Sequence, residues 1–362
     1  MDIASGLVRA YFLFDVADTI DLANIRTTGG SGLAPADLPL RTHASSAYLQ
    51  FPVPPLVARL PDAVIGDLAG TVRVKLFDYG VISLRLSFPA NGSWEHLFSL
   101  SERLRRNEPV AHYAHETVLS IIDDLGAALD DPHPALIEDY LVIDIEHFAE
   151  PITSEALLRD HAPALANILL GERNALARQE IDESLRVRFS YNADDLTVVQ
   201  WDTAFIYDDR ESSDAIQDIL EFANSQLLEL RTYDALLDSE LDELYTLQPG
   251  HRSRSLLGRR EAEQATMLRY MIVDILELTD RSTNALKIVG DAYYARIYRS
   301  AAARLGLSDW QRQIDSKLAS VGDMYRFFID QSRIRRDEFM ELIVIVLIAL
   351  ELIVGVATLV RH

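Results

Sequence analysis

The sequence contains no cysteine, and this absence removes several functions at once. A chain without thiols forms no disulfide, offers no thiol nucleophile and cannot ligate a metal through sulfur. It is the composition that a reducing compartment permits.

Targeting and phosphate-binding motifs are lacking as well. The first twenty residues have no basic segment before their apolar run and carry Asp2, Asp15 and Asp18, so we expect neither a secretory signal nor a transit peptide. The glycine-rich stretch Thr28–Gly32 lacks the Lys and Ser/Thr that end a phosphate-binding loop. No nucleophile elbow of the acyl-transfer enzymes is found either.

Positive charge is scarce. The chain has 34 basic and 56 acidic residues and a formal net charge of -22. A surface of this sign repels nucleic acid phosphates and anionic lipid, so general binding to DNA is disfavoured.

A long apolar run at residues 339–360 is the strongest single feature that is present. As a helix it would be roughly 33 Å long, enough to cross a bilayer. Arg333, Arg335 and Arg336 precede it and only Arg361 follows, which predicts that the main body is cytoplasmic. The alternative interpretation is a buried helix of a soluble core.

Two residues of this run suggest that the predicted membrane helix associates with another helix. Glu351 lies near its middle, where a carboxylate is expensive unless it is protonated or faces a protein partner. Gly355 lies one helical turn later and would allow close approach.

The predicted fold class is α+β, with a mixed domain at residues 1–150 followed by long helices. Val72–Leu76 and Ile82–Phe88 alternate apolar and polar residues around the turn Asp78–Gly80, which predicts a β-hairpin.

Helices are predicted at residues 93–106 and 117–129 and a strand at 140–148. With a short helix at 15–24, the order β, α, β, β, α, β is that of a ferredoxin-like sandwich. Residues 27–61, rich in Gly, Pro and Ser, are predicted to be a poorly ordered loop.

The remainder of the chain is predicted to be mainly helical. Residues 151–212 form a helix and a hairpin, residues 213–338 a coiled-coil hairpin broken at Pro249 and Gly250, and residues 339–360 the C-terminal transmembrane helix. Coiled-coil spacing of four and three residues, interrupted by Asp234, is kept by Ile216, Leu220, Ala223, Leu227, Leu230, Leu237, Leu241 and Leu244.

Three segments resemble the required-for-meiotic-nuclear-division family. They are the hairpin KLFDYGVISLRL at residues 75–86, the block from Ile288 to Phe328 and the apolar tail with its two acids, Glu341 and Glu351. The resemblance covers most of the chain from about residue 70. It implies an inner-membrane protein that supports translation in organelles, and it implies no catalytic residue. The missing transit peptide suggests a bacterial member.

Two sets of residues could carry metal-dependent chemistry. His112 and His115, with Glu116 beside them, could present two imidazoles on one face of a helix to a transition metal. Asp144 and Glu146 could form a hard-cation site or an acid/base pair on one face of a strand. Each set can equally be solvated surface or partly packed structure.

Two clusters of charge complete the candidates. The acids Asp194, Asp195, Asp208 and Asp209 lie in the predicted hairpin of residues 151–212. At the tip of the predicted helical hairpin, acids are absent and four arginines cluster, which could dock an anionic partner: Arg252, Arg254, Arg259 and Arg260. Solvated loops are the alternative for both clusters.

Together these observations predict a tail-anchored scaffold or tether, more simply explained as a binding protein than as an enzyme, with no cofactor. The predicted location is the bacterial inner membrane, with the main domain in the cytoplasm. The expected partners are the bilayer, further copies of the chain, and a cytoplasmic protein or the ribosome, but not DNA. The alternative function is a membrane-bound, metal-dependent hydrolase.

Overall fold

The computed structural model describes residues 1–23, 25, 41–42, 51, 53–105, 108–246 and 291–323. Ten strands lie in these ranges: β1 (Asp2–Ile20), β2 (Arg41–Thr42), β3 (Leu56–Ile65), β4 (Leu68–Leu76), β5 (Val81–Pro89), β6 (Gly92–Ser93), β7 (Leu129–Phe148), β8 (Arg188–Phe189), β9 (Leu196–Val199) and β10 (Thr203–Tyr207). The helices are α1 (Trp94–Arg105), α2 (Glu108–Leu125), α3 (Ser154–Leu170), α4 (Arg178–Ser184), α5 (Arg210–Thr246) and α6 (Ala292–Arg304).

The described strands form one mixed sheet in the order β2-β3-β4-β5-β1-β7-β10-β9-β8, and the short β6 pairs with the start of β1. Every pairing is antiparallel except that of β7 with β10. The centre of the sheet consists of two long strands, β1 and β7, which pair from Ile3 with Phe148 to Ile20 with Leu129. The sheet extends from this central pair through β5 on one side and through β10 on the other.

One face of the sheet carries the main hydrophobic core. Alternate residues of β1, β4 and β5 point to this face, where α1 and α2 pack against the sheet, and α3 packs on β10 beside α1. Val74, Leu76, Leu84 and Leu86 are fully buried there. The alternation of apolar and polar residues in β4 and β5 therefore selects the face that meets these helices.

The opposite face carries polar side chains and is covered by α5. Residues 219–230 of this helix are all buried, including polar residues such as Glu221 and Asn224. On its outer side α5 meets α6, where the rings of Phe222 and Tyr298 stack with centroids 6.0 Å apart. A helix enclosed on both sides must pair its polar groups with protein partners, because water cannot reach them.

Those partners come from the sheet. Lys75 of β4 donates to Asp218 at 2.9 Å and also to Glu221. Tyr11 of β1 donates from its hydroxyl to Gln217 at 2.9 Å. These bonds fix the position of α5 on the sheet.

One glycine is required for this packing. Gly80 ends the turn between β4 and β5 with φ 85°, and a side chain there would lie 1.6 Å from the carbonyl oxygen of Ala17. The carbonyl of Gly80 accepts from the amide of Val16 at 3.1 Å, so the turn is bonded to β1.

The chain divides into two compact units. The first contains Met1–Thr232 and Ile275–Gln311, and the second contains Tyr233–Asp274 and Arg312–His362. In the second unit, Lys317 forms ion pairs with Asp234 at 2.7 Å and with Asp238 at 2.6 Å. The sheet, helices α1 to α4 and α6, and α5 up to Thr232 belong to the first unit.

The predicted fold class is wrong. In place of a ferredoxin-like domain, the chain forms a large mixed sheet in which β1 lies between β5 and β7. The tip and the second helix of the predicted helical hairpin lie outside the described residues. The short helix predicted from residue 15 is missing for most of its length, because β1 continues as a strand to Ile20. Strand β3 begins at Leu56, inside the segment predicted to be a loop. The first part of the predicted coiled coil, up to residue 230, is enclosed in the sheet-bearing unit.

The transmembrane prediction also needs correction. Among the residues that the structure describes, no helix combines the length and the apolar character needed to cross a bilayer, so no C-terminal transmembrane helix is shown. The run at 339–360 that led to the prediction lies outside the described ranges, together with Glu351 and Gly355. The prediction rested on the apolar length of the run and on the resemblance of the tail, although a carboxylate, Glu351, lies near the centre of the run. Membrane anchoring is therefore not taken further.

Candidate functional site

Three arginines stand side by side across neighbouring strands. Arg59 of β3 pairs directly with Arg73 of β4, and Arg73 pairs directly with Arg85 of β5. Residues directly opposite in an antiparallel sheet point to the same face, with Cβ atoms about 5 Å apart. We call these three residues the arginine ladder. Like charges placed directly opposite destabilise a sheet, so the ladder requires an explanation beyond folding.

The ladder lines a concavity of about 430 Å³. Arg9 of β1 and Arg210, the first residue of α5, also line it, and one of the residues that line it is acidic, Asp62. We call this concavity, with its five arginines, the arginine cleft. In a chain with net charge -22, it is a local reversal of sign.

Two of the five arginines have carboxylate partners. Arg59 donates to Asp62 at 3.0 Å in an exposed pair. Arg9 forms a buried ion pair with Asp144, whose other oxygen accepts from the hydroxyl of Ser213 at 2.6 Å. The charges of Arg59 and Arg9 are therefore largely balanced within the protein.

The other three cleft arginines have no carboxylate at ion-pair distance among the described residues. In the described part of the chain, no carboxylate lies within 4.0 Å of Arg73, Arg85 or Arg210. Arg85 donates to the hydroxyl of Tyr11 at 3.4 Å, and its Nε is buried without an acceptor. Because burial raises the pKa of Tyr11, that phenol is neutral at neutral pH and does not cancel the charge of Arg85.

The environment of Arg73 disfavours its charge. Partial burial lowers the pKa of Arg73, and the neighbouring Arg85 guanidinium lowers it further, while the more distant Asp214 and Glu221 act in the opposite direction. The lowered pKa of Arg73 thus reports the repulsion between neighbouring arginines of the ladder. An anion placed between the guanidinium groups would relieve it.

The cleft is held in place by the buried contacts of α5, which packs on the same face of the sheet as the arginine ladder. Although burial acts to lower it, the carboxylates of Asp218 and Glu221 raise the pKa of Lys75 above its usual range. Lys75 is therefore a fixed cation that ties β4 to α5, and Tyr11 ties β1 to the same helix. Binding residues that stand on strands and on a docked helix are held more rigidly than residues on loops.

The predicted metal ligands are placed differently. His112 and Glu116 are exposed on α2, while the ring of His115 packs 6.2 Å from that of Phe14. Within the described ranges, no three His, Asp or Glu side chains are grouped so as to hold a metal ion. Asp144 is occupied by Arg9 and Ser213, and Glu146 accepts from Ser5 at 3.1 Å.

The structure does bring the four predicted aspartates together, and two of them have local structural tasks. Asp195 accepts from the amide of Tyr191 at 2.7 Å and holds a turn. Asp209 accepts from the amide of Ser212 at 3.0 Å and caps α5. Burial raises the pKa of Asp208 to about 7, and the charges of Asp195, Asp209 and Asp194 add to the effect.

The predicted arginine cluster at the hairpin tip lies outside the described residues, so its four members cannot be placed: Arg252, Arg254, Arg259 and Arg260. The arginine cleft, in contrast, was missed by sequence reasoning. A signal existed, because a turn centred on Tyr79 sets Arg73 opposite Arg85. Arg59 lies inside the segment that was predicted to be a loop. No local sequence pattern indicated that it pairs with Arg73.

Comparison with known proteins identifies the chain's relatives. A family model described as "Uncharacterized protein MJ0711, N-terminal domain" matches residues 5–214, which is more than half of the chain and includes all five cleft arginines. "Uncharacterized protein MJ0711" of Methanocaldococcus jannaschii is 24% identical over 229 residues, covering 62% of this chain and 67% of that protein.

No solved structure matches the chain significantly. Neither sequence match bears on the resemblance to the required-for-meiotic-nuclear-division family or on a bacterial origin, and both stay predictions. The family model alone covers enough of the sequence to assign it. The chain belongs to the family defined by the N-terminal domain of Uncharacterized protein MJ0711.

Proposed function

We propose that this protein is a binding protein that receives an anionic partner in the arginine cleft. A binding role was already expected from the sequence, and the arginine cleft is the site at which binding would occur. The observation that carries it is the arginine ladder, in which Arg59, Arg73 and Arg85 stand in direct register across three strands. Groups that destabilise the free protein, such as this row of like charges, are typically found at binding sites.

The balance of charge supports the same proposal. Three cleft arginines lack a carboxylate within 4.0 Å among the described residues, and two of them, Arg73 and Arg210, are exposed to an incoming ligand. Guanidinium groups hold carboxylates and phosphates through paired, charge-assisted hydrogen bonds. The cleft is thus equipped for an anion.

The alternative of a metal-dependent hydrolase gains no supporting observation. Its strongest carboxylate, Asp144, already accepts bonds from Arg9 and Ser213 and is buried beneath the cleft. A role for copies of the chain, for a cytoplasmic protein or for the ribosome as partner stays a prediction. Within the present proposal, any such partner would present its negative charge to the cleft.

The test is a thermal-shift screen of the full chain with anions of different size, namely sulfate, phosphate, pyrophosphate, citrate, oligoglutamate and a short RNA. We expect at least one of them to raise the melting temperature, since a ligand that binds only the folded state stabilises it. The rise should disappear in the double variant Arg59→Gln/Arg73→Gln.

The matched control is Arg159→Gln/Arg178→Gln. It removes the same charge from two exposed positions outside the cleft, whose partners are the neighbouring Asp160 and Asp182. The control should keep the full shift. No shift with any anion, or equal loss in both double variants, would refute the proposed function.

A further inference from the structure

We infer that the cleft binds a compact phosphate chain of at least two phosphoryl groups, laid across strands β3, β4 and β5. This inference rests on the proposed binding function and names the ligand class. The shared chemistry is a diphosphate or longer chain, either free or as part of a nucleotide.

The spacing of the ladder supports a chain of anionic groups. Neighbouring strands are about 4.8 Å apart, so Arg59, Arg73 and Arg85 form a row of cations with two gaps. A phosphate chain lying along this row can reach all three side chains, and each phosphoryl group can accept from two neighbouring guanidinium groups. Each guanidinium presents a planar fork of donors that fits phosphate oxygens.

The number of unbalanced charges points to more than one phosphate. Arg73, Arg85 and Arg210 have no carboxylate within 4.0 Å in the ranges that the structure describes. A single phosphate carries between one and a half and two negative charges at neutral pH, roughly, and leaves part of this charge unmatched. A diphosphate carries about three negative charges, because the second phosphoryl group adds an ionised oxygen.

The lining of the cleft favours the phosphate chain over a base or a long nucleic acid. Thr71 and Ser87 contribute hydroxyl groups, and none of the described residues that line it is aromatic. A base would therefore find no stacking platform of the kind that single-strand binders use. The volume of about 430 Å³ is that of a small-molecule pocket. The net charge of -22 opposes a long polyanion, whereas a compact one lies entirely among the arginines.

The experiment is isothermal titration of the full chain with six probes: inorganic phosphate, sulfate, pyrophosphate, tripolyphosphate, ADP and a short RNA. We expect pyrophosphate and tripolyphosphate to bind at least roughly tenfold more tightly than phosphate and sulfate, since each gains at least one further charged contact. Arg73→Gln should weaken pyrophosphate binding by roughly tenfold or more, and Arg73→Lys should weaken it less. Arg178→Gln is the control and should bind as the unchanged protein does.

The ADP titration separates the two sources. Binding of ADP more tightly than pyrophosphate supports a nucleotide as the natural ligand, and equal or weaker binding supports a free phosphate chain. Equal affinities for sulfate and pyrophosphate would overturn the inference. So would full pyrophosphate affinity in both Arg73→Gln and Arg59→Gln, provided that both variants unfold cooperatively.

Failure of the inference can be told from failure of the proposed function. If the RNA binds in an Arg73-dependent way while pyrophosphate does not, the binding function stands and the phosphate-chain ligand is wrong. If no anion binds at all, both are wrong.

Discussion

Arg73 is the residue at which the binding site and the stability of the sheet conflict. It lies between two other arginines in the arginine ladder, and burial together with the nearby Arg85 lowers its pKa. Removing its charge should therefore stabilise the free protein while it weakens ligand binding. Such opposite effects distinguish a functional charge from a structural one.

For the free protein, Arg73→Gln should raise the free energy of unfolding by up to about 1 kcal/mol, the range expected for cross-strand pairs. Urea unfolding at low and high salt measures it, and the gain should shrink in high salt as the repulsion is screened. Arg178→Gln, at an exposed helical position, should leave the unfolding midpoint nearly unchanged. A loss of stability in Arg73→Gln would show that repulsion does not dominate in the ladder.

Asp208 gives a pH-dependent prediction. Its carboxyl has a pKa of about 7 in the folded protein, whereas an unfolded aspartate has its usual pKa of 3.8. Between these two values the folded state holds a proton that the unfolded state has lost, so the free energy of unfolding contributed by this group falls as pH rises.

Asp208→Asn should remove this group's contribution to the fall in the free energy of unfolding as pH rises. Compared with the unchanged protein, the variant should become relatively more stable from pH 4.5 to pH 8, as measured by urea midpoints across that range. Curves that stay parallel would contradict the raised pKa. The neighbouring Asp209→Asn is a poor control because Asp209 caps α5, so the exposed Asp182→Asn is preferred.

Among the elements, α5 is unusual because residues 219–230 are all buried and yet include several polar residues. Its buried residues include Gln217, Glu221 and Gln226, which bond to Tyr11, Lys75 and Tyr298 respectively. A helix of this kind is positioned by specific pairs as well as by apolar packing. Breaking one pair leaves a buried polar group without a partner.

The ion pairs of Lys75 allow a direct test of that statement. Lys75→Met should lower the free energy of unfolding by about 3–5 kcal/mol, because it removes the cation that pairs with the buried carboxylate of Glu221. The double variant Lys75→Met/Glu221→Met should recover part of the loss, since it removes that buried charge. Urea unfolding of both variants measures the difference.

The exposed pair of Arg159 with Asp160 provides the control for Lys75. Arg159→Met should leave the unfolding midpoint nearly unchanged, as is usual for surface pairs. A double variant as unstable as Lys75→Met alone would mean that the lost packing of Lys75, and not the stranded charge, destabilises the protein.

Some elements could be predicted from the sequence. The hairpin of β4 and β5 is confirmed in register, from Thr71 opposite Ser87 to Leu76 opposite Ile82, because one face of each strand is apolar and the other polar. The helix predicted at residues 93–106 is present as α1. Regular alternation and helical spacing are local signals, and they were sufficient here.

The sheet topology could not be predicted in the same way. From Val8 to Ala17 every residue of β1 is buried, so the strand shows no alternation that reveals its two neighbours. Arg9 is hidden in the same stretch, because its charge is balanced by Asp144, a residue far along the chain. The cleft depends on these distant pairings, and a local pattern contains no information about them.

For the whole molecule, the arginine cleft is a small positive site in a strongly negative protein. The net charge of -22 keeps large anionic surfaces away, while the five arginines act only at short range. This combination would select a partner by the density of its charge more than by its total charge. It suits a compact anion better than an extended one.

The place of β1 in the centre of the sheet has a consequence during synthesis. Its two neighbours are β5 and β7, and β7 begins only at Leu129, more than one hundred residues after β1 ends. At about 5–20 residues per second, a ribosome needs roughly 5–20 s to deliver the first residue of that partner. During this time an apolar strand has one open edge, so the nascent chain depends on slow, long-range pairing and on protection from aggregation until β7 emerges.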